Sequence, residues 1–187
     1  MINYPTTKKI AHQKDSFSNR GMSLEKELNL SNEYYLRQGI ANIHKKPTPI
    51  QVVQVSYPKR QAAKIIEAYY QKPSTTDYNG LYQGKYIDFE AKETKHKNKF
   101  IYTNIHTHQR EHLQSIIELK GIAFFIIRFS CYNETYLIEA TIILESINNN
   151  EKSISYAKIK EVGYLIKENY RPRLDYLRIV DIIINKE

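Results

Sequence analysis

Residues 74–93 read STTDYNGLYQGKYIDFEAKE. Two runs carrying aromatic residues flank Gln83-Gly84, and a glycine between such runs signals a β-hairpin. Side chains of a strand alternate between faces. In the second run Ile87, Phe89 and Ala91 therefore share one face, while Asp88, Glu90 and Lys92 share the other.

That second face carries the chemistry. In Glu90-Ala91-Lys92 the carboxylate and the ammonium point the same way, because they stand two positions apart. Asp77 lies thirteen positions before Glu90, and the hairpin returns it across the sheet. Two carboxylates can hold a hard divalent cation through oxygen, the preference of Mg2+. Such a cation polarises a scissile phosphate and acidifies bound water. A lysine beside it can stabilise the charge that develops on phosphorus. An E-x-K triplet by itself is more often a solvated strand face than a catalytic one. The paired Asp77, the apolar opposite face and the basic chain count against that plainer reading.

The elements around the hairpin follow from periodicity. A helix is predicted over 106–120, with Leu113, Ile116 and Ile117 buried and Gly121 ending it. Residues 122–127 are continuously apolar, as in a strand covered on both sides. Short strands are predicted at 100–102 and 135–140, and helices at 141–148 and 156–163. Upstream, Leu24, Leu28 and Tyr35 mark a helix over 21–38 that Gly39 stops. Residues 40–44 and 50–55 read as strands separated by Pro47 and Pro49. Residues 61–70 suit either a helix or a strand. The proline-bounded stretch 45–73 reads as a projecting insertion, and residues 1–18 as a flexible basic arm. No internal repeat is visible. The class is α/β.

Composition sets the limits. The chain has 187 residues, enough for one domain, and 28 Lys plus Arg against 20 Asp plus Glu give a formal charge of +8. That surplus points to a polyanionic partner, and the 16 tyrosines supply rings that can stack on bases. The single cysteine, Cys131, follows the apolar run and reads as a buried inert thiol. No signal core and no apolar run of roughly 20 residues is present, so a soluble, cytoplasmic protein without membrane contact is expected. His108 and His112, with His106 nearby, have a spacing that can bind zinc, but residues 108–112 lack the HExxH pattern. Neither a phosphate-binding GxxxxGK[ST] loop nor a nucleophile elbow occurs.

Residues 74–95 closely resemble the RecU family of bacterial Holliday junction resolvases. So do Asn19-Arg20-Gly21-Met22, Ile43-His44-Lys45-Lys46-Pro47-Thr48-Pro49, Tyr57-Pro58-Lys59-Arg60, His108-Gln109 and Arg171-Pro172-Arg173-Leu174-Asp175-Tyr176. These matches run in the family's order from about Asn19 to Asp181. The N-terminal arm and the C-terminal third diverge most from the family pattern.

The resemblance implies a restriction-endonuclease-like mixed sheet flanked by helices. A nuclease domain would span 19–187, with a projecting stalk at about 47–73. It implies a homodimer that nicks four-way DNA junctions symmetrically in recombination and repair. Mg2+ would be the cofactor, with Mn2+ able to substitute, and recombinase and branch-migration proteins would be further partners. Thr75, Asp77, Glu90 and Gln109 would be metal-site positions, and Lys92 the transition-state stabiliser. The stalk would enter the junction centre, with Arg60 its basic residue against DNA; the basic character of the projecting segment adds Lys45, Lys46 and Lys59 as expected DNA contacts. Gln109 lies one turn before Leu113, on the inward face of its helix, where a polar side chain needs a partner. A capping or core-satisfying role is its plainer reading. Two other functions compete with the resolvase: a non-catalytic junction-binding or junction-folding module, and a restriction-type nuclease that reads sequence.

Overall fold

The computed structural model describes residues 22–71 and 75–186. Residues 1–18, the expected basic arm, lie outside them. The chain order is α1 (Leu24–Arg37), β1 (Ala41–Lys45), β2 (Ile50–Ser56), β3 (Lys64–Tyr70), β4 (Tyr78–Tyr82), β5 (Lys85–Thr94), β6 (Lys99–Ile101), α2 (Thr107–Glu118), β7 (Ile122–Phe129), β8 (Glu134–Glu139), α3 (Ala140–Asn148), β9 (Ser153–Ser155), α4 (Tyr156–Val162), β10 (Tyr164–Leu165) and α5 (Leu177–Ile184). A six-stranded sheet has the order β1-β4-β5-β7-β8-β10, with β5 and β7 parallel and the other neighbours antiparallel. This is the expected mixed sheet flanked by helices.

The alternation along β7 explains the layers. Ile122, Phe124 and Ile126 pack with α1 and α5 on one side, and Phe125, Ile127 and Phe129 pack with α2, α3 and α4 on the other. A strand buried on both faces must be apolar throughout, as this run is. On β5 the same rule gives a different result. Ile87 and Phe89 join the α1–α5 core, so Asp88, Glu90 and Lys92 face the α2 side.

The β4–β5 hairpin turns at Gln83 and Gly84, with φ of 49° and 75°. Two successive positive φ values match the right-handed strand twist, which is why this dipeptide closes the hairpin tightly. Gly80 has a different cause. A Cβ there would lie 2.1 Å from the Asn42 carbonyl oxygen and 2.5 Å from the Ile43 Cα, so only glycine lets β1 pair with β4. Across the sheet, Tyr78, Phe89 and Phe124 stack with ring centroids 4.8 Å apart at each step, which fixes the lateral position of β5.

Among the described residues, strands β2 and β3 pair only with each other. Almost every residue along them is exposed, so the hairpin projects from the body as expected. Residues 61–70, ambiguous in sequence, contain β3 preceded by a short 3-10 turn at Arg60–Ala62. A ribbon with no core against it has no face on which to impose a hydrophobic period. Two expectations are corrected. Cys131 is exposed, because β7 ends at Phe129 and the chain leaves the sheet in a turn. The left-handed residue after α2 is Lys120, φ 65°, while Gly121 is small because a Cβ would meet Ile116 Cγ2 at 2.7 Å. Helix α5, unclear in sequence, buries Leu177, Ile179, Val180 and Ile183.

One buried ion cluster ties α1 to the sheet. Glu27 on α1 pairs with Arg128 on β7, and accepts from Arg173 Nε at 3.1 Å on its other oxygen. Arg128 also donates to Thr135 Oγ1 at 3.0 Å, and the Leu174 N–H donates to Ser31 Oγ at 2.8 Å. Removing one partner strands a buried charge. Glu27→Ala should therefore lower the unfolding free energy in urea by about 3–5 kcal/mol. A loss below roughly 1 kcal/mol would mean the cluster does not anchor α1.

Candidate active site

The charged face of β5 is not solvated. Helix α2 crosses it, and Asp88 and Glu90 are both 0% exposed. A carboxylate cannot be left bare in such a place, so each finds its own set of partners.

Glu90 Oε1 takes the Lys92 ammonium at 2.7 Å and the Gln109 Nε2 at 2.7 Å, while Oε2 accepts the Asp77 backbone N–H at 3.1 Å. The register Tyr78↔Phe89 places Asp77 opposite Glu90 at the mouth of the hairpin. Burial, and after it the negative charge of Asp77, push the Glu90 carboxyl up to about 7 against the opposing pull of Lys92. Thr75, half-buried two residues before Asp77, donates its hydroxyl to the Thr76 carbonyl at 3.4 Å. Gln109 fills both parts of its plainer reading, as a cap and as a satisfied buried polar group. Its Oε1 accepts the His106 N–H at 3.0 Å, closing the first turn of α2, and its amide nitrogen holds Glu90.

The structure thus brings Asp77, Glu90, Lys92 and Gln109 together, with Thr75 at their edge. It separates the four basic residues. Lys45 pairs with Glu25 on α1 at 2.7 Å. Lys46 turns inward, its ammonium 2.8 Å from Asp88 and 2.9 Å from Thr76 Oγ1. Lys59 and Arg60 lie in the connection between β2 and β3, at the end of the hairpin away from the body. The three histidines part as well. His106 and His108 stack at 5.5 Å, and His112 Nε2 lies 2.9 Å from Asp88. Burial, then His106 and Lys92, lower the His108 pKa.

Sequence reasoning placed Asp88 on the charged face but gave it no role. Its partners Lys46, Thr76, Tyr86 and His112 come from the residue after β1, the segment before β4, β5 and α2, a convergence that strand periodicity cannot reveal.

The donor set suits a hard cation. No group of three or more His, Cys, Asp or Glu side chains able to hold a metal occurs among the described residues, so Asp77 and Glu90 would act as a carboxylate pair. One or two carboxylates, completed by water, neutral oxygens and substrate phosphate, are the usual protein share of a Mg2+ site. A buried carboxylate whose proton affinity is raised by burial and by the negative charge of a facing one is also the arrangement a dication relieves.

Comparison with known proteins gives the family of the chain. The family model "Recombination protein U" matches residues 19–182. A Bacillus cytotoxicus protein named Holliday junction resolvase RecU is 52% identical over 179 residues, covering 94% of this chain and 90% of its own. The Bacillus thuringiensis protein of the same name is 53% identical over 175 residues, covering 91% and 88%. Among solved structures, Archaeoglobus fulgidus Hjc, a Holliday junction resolvase, aligns at 10% identity with a TM-score of 0.41, over 70% of this chain and 86% of that one; likeness at that level decides nothing. A family pattern that spans nearly the whole chain, with relatives more than half identical along over nine-tenths of it, places this chain in the RecU family.

Proposed function

We propose that this chain is a structure-specific endodeoxyribonuclease that resolves four-way DNA junctions by symmetric, Mg2+-dependent nicking as a homodimer. The observation that carries the reading is the fully buried Glu90, held by Lys92 and Gln109 and facing Asp77. Asp77 and Glu90 would hold the metal, with Thr75 and Gln109 at its margin. A bound Mg2+ supplies Lewis acidity toward the phosphate and an acidified water. Lys92 keeps a compact positive charge beside the scissile group, where negative charge grows in the transition state.

A binding module that did not cleave would have no chemical need for this cluster. Burying a carboxylate opposite another destabilises the fold, and a carboxyl perturbed as Glu90 is belongs to the kind of group that gathers at active sites. The exposed β2–β3 hairpin, with Lys59 and Arg60 at its far end, supports entry into the open centre of a junction. Ile50, Val53, Ile65, Ile66, Tyr69 and Tyr70 leave apolar surface on that hairpin uncovered, which supports a second copy as partner. Among the described residues no helix is long and apolar enough to cross a membrane.

Asp77→Ala and Glu90→Ala should each abolish Mg2+-dependent nicking of a four-way junction and leave gel-shift affinity nearly intact, since affinity comes mainly from phosphate contacts. Normal turnover in either variant, or equal cleavage of linear duplex by the wild type, would overturn the assignment. Lys92→Ala should lower kcat by roughly a hundredfold or more with little change in junction affinity. A rate within about threefold of wild type would make Lys92 a bystander.

Without metal, Glu90 should also shape stability. Its folded pKa of about 7 lies above the ordinary 4.5, so the folded state binds the extra proton between those values. The stabilisation from neutral Glu90 is then fully present below pH 4.5 and lost as pH rises through 7. Relative to Glu90→Gln, metal-free wild type should lose on the order of 2–3 kcal/mol across that window, read by urea unfolding. Saturating Mg2+ should flatten the slope; parallel curves for both proteins would refute the buried proton.

A further inference from the structure

Asp88 is a second fully buried carboxylate on the face that carries Glu90, and the proposed reaction makes no use of it. Its Oδ2 meets the Lys46 ammonium at 2.8 Å, His112 Nε2 at 2.9 Å and the Tyr86 hydroxyl at 3.0 Å. Its Oδ1 accepts the Thr76 hydroxyl. Lys46 and His112 themselves are only 17% and 21% exposed. These partners come from the elements that carry the catalytic groups. Thr76 immediately precedes Asp77. His112 stands on α2, one turn after Gln109. Lys46 follows directly on β1 and grips Asp77, its backbone N–H donating to the Asp77 carbonyl at 2.7 Å while its ammonium also takes Thr76 Oγ1 at 2.9 Å.

Resting on the nuclease reading above, we propose that Lys46, Asp88 and His112 form a positioning cluster that holds Asp77 opposite Glu90 and keeps α2 in register over both. Three arguments support it. First, the backbone of Asp77 has two fixed points, the Glu90 carboxylate on its N–H and Lys46 on its C=O. The cluster therefore sets the distance between the two carboxylates. Second, His112 and Gln109 share one helix, so fixing His112 to Asp88 fixes the approach of Gln109 to Glu90. Third, an ammonium committed to a buried carboxylate and a threonine hydroxyl is withheld from DNA phosphate. Lys46 is therefore a positioning residue and not the phosphate contact that its place in a basic, proline-bounded stretch suggests. Its location also has a topological consequence. Lys46 is the last residue before Pro47-Thr48-Pro49, which leads into β2, so the base of the projecting hairpin and the metal-site geometry share one anchor.

The test is Lys46→Met, which keeps the stem and removes the charge, together with His112→Ala and His112→Gln. Mg2+ affinity is measured by calorimetry on the metal-free protein, junction affinity by gel shift in Ca2+, and kcat at saturating junction. All readings are taken at a temperature where circular dichroism shows each variant folded. Loss of an outer partner of a metal site costs roughly 10–100-fold in metal affinity or activity. Lys46→Met and His112→Ala should therefore weaken Mg2+ binding about tenfold or more and lower kcat, with junction affinity within about twofold of wild type. His112→Gln, whose amide can still donate to Asp88, should recover most of the loss. If Lys46→Met instead weakens junction binding and reduces its salt slope by about one, with Mg2+ affinity intact, Lys46 is a phosphate contact and the proposal fails. Unchanged Mg2+ affinity in His112→Ala also overturns it, as does equal damage from His112→Gln. Because calorimetry needs no cleavage, an inactive wild type would count against the nuclease reading without deciding this one.

Discussion

Two carboxylates stand two residues apart on one face of a strand that is buried on both sides. Asp88 and Glu90 have no access to water, and an uncompensated charge at such depth would cost several kcal/mol. The surrounding architecture answers that constraint. Lysines, a histidine, a glutamine, a tyrosine and a threonine reach in from just past β1, from the entry to β4, and from β5 and α2, each matched to a particular oxygen. The two sets of partners differ in completeness. Asp88 is met on both oxygens by hydroxyls, an imidazole and an ammonium. Glu90 has one lysine, one amide and one backbone N–H, and a second carboxylate facing it, which leaves its electrostatics open to a cation.

The opposite face of β5 makes this arrangement tolerable. Phe89 lies between Tyr78 and Phe124 in a stack that crosses three strands, with Tyr176 tilted against it at 5.5 Å. Residues on either side of Phe89 in sequence point the other way, so a rigid ring stack on one face sets the aim of the carboxylates on the other. Helix α1, fixed through Glu27 to Arg128 and Arg173, covers that stack. A core layer and a chemical layer are thus two sides of one strand. The β2–β3 hairpin stands apart from both: the Gln71 N–H closes its base on the Pro49 carbonyl, and Lys46, just before it, bonds to Asp77 of the body.

Local rules carried much of this into the sequence. The turn at Gln83-Gly84, the alternation of 87–92, the apolar run at 122–127 and the helix with Leu113 inward are short-range signals, and each stands in the structure near its predicted place. The juxtaposition of Asp77 with Glu90 was legible too, because a tight hairpin leaves one register and the pairing follows by counting. Residues 61–70 and the end of α2 were harder. The first is a ribbon without a core to impose a period, and the second ends on Lys120 in a left-handed turn that no residue preference advertises. Cys131 was misplaced because a run's hydrophobicity does not say where its strand leaves the sheet.

By itself, then, the sequence determined the strand pattern, the hairpin register and the grouping of Asp77, Glu90 and Lys92 on one face, since all three depend on residues within about twenty positions of one another. Tertiary structure decided what surrounds them. That α2 covers the charged face, that Gln109 caps its helix while holding Glu90, and that Lys46 serves Asp88 from 42 positions away are results of packing. Their cause is the free energy of buried charge, which selects partners by proximity in space and is blind to distance along the chain.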